Sequence, residues 1–132
     1  MKFQKILILL IISFSLKAYS SYSGVYYCSD NKTQGFIPQK DFEITSFFEK
    51  KFKAKIDFEN KEILSEDLYF AERFNQSCIL DEEESSILCI SELGPSFSFN
   101  PVNRYFVRSY HNASNIKSKD TISIAYGTCE KF

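Results

Sequence analysis

Four cysteines constrain this chain more than any other feature: Cys28, Cys78, Cys89 and Cys129. All of them follow the opening stretch MKFQKILILLIISFSLKAYS, in which Lys2 and Lys5 precede an apolar run from Ile6 to Leu16 interrupted by Ser13 and Ser15. Ala18 and Ser20 are then spaced for cleavage. That three-part form is expected of a secretory signal peptide over residues 1–20. The run has about 11 residues where a membrane-crossing helix takes roughly 20, so no membrane anchor is expected after cleavage. An even number of cysteines in an exported chain reads as a disulfide framework, with three connectivities open by count alone.

The middle pair narrows the choice. In CILDEEESSILC, residues 78–89, the triplet Cys78, Ile79, Leu80 mirrors Ile87, Leu88, Cys89 about an acidic centre. Antiparallel pairing of the triplets puts Cys78 opposite Cys89, and directly opposed residues lie within disulfide reach. A hairpin with a loop of four to six residues centred on Glu83 and Glu84 is therefore expected. By exclusion the second bridge joins Cys28 to Cys129, and losing that long bridge is expected to cost roughly 2–5 kcal/mol. Calcium is the rival reading, since Asp81, Glu83, Ser85 and Glu92 match positions 1, 3, 5 and 12 of an EF-hand loop. Position 6 is Ser86, however, where that loop needs glycine for its turn, so no metal site is expected.

Residues 21–132 suit one disulfide-bonded domain. The leader removes Lys2, Lys5 and Lys17 and no acid, taking the net charge from −1 to −4. Mild acidity excludes nucleic acid and anionic membrane as default partners, because both attract basic surfaces. With no tryptophan, 14 phenylalanines and 8 tyrosines must supply the bulk of the core.

Alternation dominates the rest of the chain. SGVYYCSD (23–30) is rich in β-formers and runs into Asn31 and Lys32, a turn signal, after which TQGFIP makes a short strand ended by Pro38. FKAKIDF (52–58) alternates without a fault, with Phe52, Ala54, Ile56 and Phe58 on one face. The lysines at 51, 53 and 55 form a solvated row opposite that face, or guard a sheet edge. Upstream, Ile44, Phe48 and Phe52 also fit helical spacing, which allows one short helix near 40–50. Phe97 and Phe99, RYFVRSY (104–110) and TISIAYGTC (121–129) complete the pattern, the last placing Ile122, Ile124 and Tyr126 on one face. The expected fold is all-β: a small antiparallel meander of about eight short strands, closed as a barrel or packed as a sandwich.

Catalytic signals are sparse. His111 is the single histidine, no GxSxG or glycine-rich phosphate loop occurs, and the disulfides leave too few ligands for zinc. No cofactor and no catalytic residue are assigned. The sequons at Asn31, Asn75 and Asn112 matter only in a glycosylating host. The best candidate for binding is Arg104, Phe106, Arg108 and Tyr110, which share one face of a strand. Turned inward, they offer two guanidiniums for a carboxylate or phosphate beside aromatic rings. Arg108 and Tyr110 then look like the Arg-x-Tyr carboxylate clamp of intracellular fatty-acid-binding proteins. Turned outward, they leave Tyr105 and Val107 in the core and the arginines lying over Phe106 and Tyr110.

The early YYC, the central cysteine pair, FSFNPVNRYFVRSY and the closing ISIAYGTCEKF together resemble a group of small exported two-disulfide bacterial proteins of uncharacterised function. A looser likeness is to periplasmic lysozyme inhibitors, whose SGxxY pattern occurs here as Ser23, Gly24 and Tyr27, ahead of the first cysteine. The expected function is that of a periplasmic or secreted, non-enzymatic binding domain for a small anionic amphiphile or an envelope protein. Inhibition of a lysozyme-type cell-wall hydrolase is the alternative that the second likeness implies. A hydrolase with a carboxylate site is the alternative from another class.

Overall fold

A computed structural model describes residues 21–37, 41–68, 70–71, 74–111 and 122–132. The signal-peptide expectation for residues 1–20 and the sequon at Asn112 fall outside them. Among the described residues, nine strands form one antiparallel sheet: β1 (Gly24–Ile37), β2 (Glu43–Ser46), β3 (Lys51–Asp57), β4 (Glu62–Leu64), β5 (Gln76–Asp81), β6 (Ser86–Ser91), β7 (Ser96–Phe99), β8 (Tyr105–Tyr110) and β9 (Ile122–Lys131). Their order is β4-β3-β1-β9-β8-β7-β6-β5, with β2 beside the far half of β1. Every neighbour in that order is a neighbour along the chain, apart from β1 and β3, between which the short β2 intervenes, and β1 and β9, which pair the two ends. The result is an up-and-down barrel, nearly closed, with its seam between β4 and β5.

Both bridges lie in the ladders. Cys28 is registered against Cys129 and Cys78 against Cys89, with Cα–Cα separations of 4.0 and 4.1 Å. Two disulfides suit an oxidising, non-cytoplasmic setting. The β5–β6 loop spans residues 82–85. Asp81 Oδ1 accepts hydrogen bonds from the N–H groups of Glu83 and Glu84, and Ser85 takes the left-handed φ of 55° that completes the turn.

Two expectations change. Asn31 and Lys32 do not turn the chain: β1 runs straight through them with a bulge between Asp30 and Lys32. The bulge is in the ladder with β9; on the other side of β1, the link from β2 to β3 at residues 47–50 is held where Asp30 N–H donates to Lys50 O and Phe47 N–H donates to Thr33 O. Nor do residues 40–50 form a helix where the structure describes them. Ile44 pairs with Phe36 in the β1–β2 ladder, and Phe48 is 98% exposed, so the helical stripe has no apolar partner to bury it.

Large side chains fill the barrel. Phe97 and Phe106 stack with centroids 5.5 Å apart, Phe52 meets Phe106 edge-on at 5.3 Å, and Tyr26 packs edge-on to Phe99 at 4.8 Å. Phe58, Phe70, Ile56, Ile63 and Ile87 complete the core. The inward face of β9 is small where β8 is large: Phe106 is registered on Gly127 and Arg108 on Ala125. That pairing turns Ile122, Ile124 and Tyr126 outward.

At the seam the backbone ladder is replaced by a side chain. Ile63 N–H donates to Gln76 Oε1 at 3.0 Å, and Gln76 Nε2 donates to Ile63 O at 2.9 Å. The carboxamide thus stands in for a strand residue, satisfying both backbone groups of Ile63.

Candidate functional site

Of the four residues proposed for binding, two face the interior together. Phe106 and Arg108 are buried on the inner face of β8, while Tyr105 and Val107 point outward. Arg104 precedes the strand at a left-handed φ of 66° and is exposed; its N–H donates to Asn100 O, and its carbonyl accepts from Cys129 N–H. Tyr110 is half-buried at the strand end, and His111 after it is exposed.

Arg108 is engaged within the protein. Its Nε donates to Asp30 Oδ1 at 3.0 Å and its Nη2 to Asp30 Oδ2 at 2.5 Å. Thr33 Oγ1 and the Lys50 N–H also donate to Asp30 Oδ2, at 3.0 and 2.9 Å. Burial pushes the Asp30 carboxyl up, but the hydrogen bonds from Arg108, Lys50 and Thr33 and the Arg108 charge outweigh it and hold the group below the usual aspartate range. A ligand carboxylate at Arg108 would have to displace this four-bonded partner from a packed interior. The β1 phase was enough to mark Asp30, since Tyr26 and Cys28 on the same face place it inward, two residues from a bridged cysteine.

Other candidates separate in space. Glu92 lies at the far end of the β5–β6 hairpin from Asp81 and Glu83, and its carboxylate accepts from Asn75 Nδ2 at 2.9 Å. In the Ser23, Gly24 and Tyr27 triplet, Ser23 Oγ accepts from Phe58 N–H, and the exposed Tyr27 ring meets Phe132 at 5.7 Å. The lysine row is exposed on the outer face of β3, which β1 flanks over residues 51–56 and β4 over residues 55–57. Lys51, Lys53 and Lys55 line two outer grooves of about 620 and 580 Å³ beside Tyr27, Asp67 and Glu130.

The least expected surface is a further stretch of the outer wall. One register row runs Lys32, Tyr126, Val107, Ser98, Leu88 and Ile79 from β1 to β5. The next runs Gln34, Ile124, Ser109, Ser96 and Ile90, with two serines between the isoleucines, and a third sets Ile44, Phe36 and Ile122 side by side, so the apolar field is continuous about β9 and its neighbours rather than across the whole wall. Ile124 is 57% exposed and Ile79 63%, with Tyr105, Tyr126, Val107 and Ile122 each near half. Isolated exposed apolar residues are ordinary, but a contiguous field across neighbouring strands marks an interaction surface.

Fold and surface together define a small disulfide-bonded up-and-down barrel, filled inside and apolar along one outer wall. No protein-family model, curated protein or solved structure matches the chain.

Proposed function

We propose that this chain is an exported, non-enzymatic binding domain that takes a protein partner on the outside of its barrel. The observation that carries the reading is the apolar outer wall of β1, β9 and β8, centred on Ile124, Tyr126 and Val107. Burying such a wall against a partner gains about 25 cal/mol for each Å² removed from water. Between the two ligand classes expected from sequence, the interior argues for the protein: phenylalanines occupy the space an amphiphile tail would need, and Asp30 holds the guanidinium its headgroup would seek.

The test places a photo-crosslinking residue at Ile124, and separately at Lys61 in the β3–β4 turn, in the chain made by its own cells. A discrete adduct from position 124, lost on Val107→Glu and absent from position 61, is expected. Unlinked monomer at both positions, or equal labelling from both, would overturn the reading.

A further inference from the structure

The reading above leaves open how the partner is held, and the seam supplies a mechanism. Cys78 and Cys89 stand directly opposed with Cα atoms 4.1 Å apart, the spacing of a non-hydrogen-bonded antiparallel pair. In such a pair both residues direct their N–H and C=O away from each other. Cys78 therefore points these groups out of the sheet, as does Leu80 two residues on, while Ile79 exchanges its bonds with Leu88 on β6. On the far side, β4 is three residues long and meets the start of β5 through the Gln76 carboxamide. Among the described residues, the edge from Cys78 to Leu80 has no strand partner.

Natural sheets guard such edges with lysine, proline or a bulge. β5 reads QSCILD and has none of these. Its backbone is clamped to β6 by the disulfide, so little ordering is needed to dock a strand. Its outward side chain, Ile79, ends the register row of Val107, Ser98 and Leu88. Just beyond lie four exposed acids, Asp81 to Glu84.

We propose that the β5 edge receives an added antiparallel strand, an extended segment of a protein partner. Resting on the reading of an outer-wall partner, this assigns the partner's chemistry: apolar side chains beside Ile79, and basic residues at the segment's N-terminal end, where an antiparallel strand passes the acidic tip. Backbone hydrogen bonds to Cys78 and Leu80 give affinity, and the apolar and basic side chains give register and direction.

The probe is a synthetic peptide of two lysines followed by alternating isoleucine and threonine, added to the oxidised exported protein. Amide exchange at Cys78 and Leu80 is expected to be unprotected in the free protein and to slow at least about tenfold with the peptide. Moving the lysines to the C-terminal end, or introducing Ile79→Lys, should weaken binding by about tenfold or more. If the Ile79→Lys protein unfolds at a lower temperature, Ile79→Thr replaces it. Protected Cys78 and Leu80 amides in the free protein, or exchange unchanged by the peptide, would overturn the proposal. A dimer on sedimentation that Ile79→Lys converts to monomer would also overturn it, giving the edge to a second copy. Crosslinkers at Ile79 and Ile124 separate the two readings: capture at 124 but not 79 removes the edge alone, and capture at neither removes both.

Discussion

Arg108→Met tests whether the buried charge pair is a structural core element or a ligand site. The substitution deletes both hydrogen bonds from the guanidinium to Asp30 while keeping an unbranched side chain of similar reach. Asp30, 2% exposed, is left with Thr33 and the Lys50 N–H against the cost of a buried, uncompensated charge. Breaking a buried pair from one side costs about 3–5 kcal/mol. At a urea slope of about 1.5 kcal/mol/M, the unfolding midpoint should fall by roughly 2–3 M. Adding Asp30→Asn removes the stranded charge, so the double variant should be more stable than Arg108→Met alone by about 1–2 kcal/mol. The pH dependence has a definite sign. In the wild type the depressed Asp30 contributes stability that is complete above about pH 3.9 and lost as pH falls through its lower folded value. In Arg108→Met the carboxyl loses the guanidinium's hydrogen bonds and charge and is no longer held as low as in the wild type, so the gap to wild type should narrow as pH is lowered. Urea titrations at about pH 7 and at about pH 3, below the unfolded value, read all of this. A loss under about 1 kcal/mol for Arg108→Met, or no coupling between the two sites, would refute the reasoning.

Three further outcomes follow from the geometry. Gln76→Leu removes both hydrogen bonds to Ile63 and should cost about 2–4 kcal/mol, with faster exchange at the Ile63 amide as its local signature. Replacing Cys28 and Cys129 by alanine opens a link spanning 101 residues and should cost about 4.7 kcal/mol, against about 2.8 kcal/mol for the pair 11 apart at Cys78 and Cys89; equal losses in urea unfolding would contradict the chain-entropy argument. Gly127→Ala puts a methyl group against the Ser29 carbonyl and 2.8 Å from the Phe106 ring, which should cost about 3 kcal/mol in thermal unfolding.

Strand positions and the cysteine pairing were legible because period-2 alternation and the mirrored triplets are local signals. Residues 51–57 alternate in the structure as they do in the sequence, with Phe52, Ala54 and Ile56 buried. Which face of a strand turned inward was harder to read. In β9 the heavier face, Ile122, Ile124 and Tyr126, looks like core, yet it lies outside because Phe106 and Arg108 on β8 need Gly127 and Ala125 opposite them. That is a property of two strands at once, and neither shows it alone. Cys129 held the clue, since a bridged cysteine fixes the inward phase of its strand. The apparent turn at Asn31 and Lys32 failed for a similar reason: a bulge and a turn use the same residues, and only the pairing with β9, which continues on both sides of them, distinguishes the two. Gln76 had no sequence signal, because only the fold brings it to Ile63.

The seam places stability and binding at opposite ends of one short strand. β1 and β9 are joined by a ladder and a disulfide, as are β5 and β6, whereas β4 and β5 are joined through one carboxamide. Local opening should therefore be cheapest at the seam among the described strands. Gln76 holds the end of β5 nearest the buried Ile63, where a gap would wet the core. From Cys78 onward only the backbone is exposed at the edge, while Cys78 and Leu80 keep their side chains against the interior. A longer β4 would have closed the barrel with its own hydrogen bonds and consumed this edge. Because a side chain closes it instead, adding a strand at Cys78 and Leu80 breaks no hydrogen bond among the described residues, so the cost is that of any association, lost rigid-body freedom, desolvation and ordering of the incoming segment, with no strand to displace.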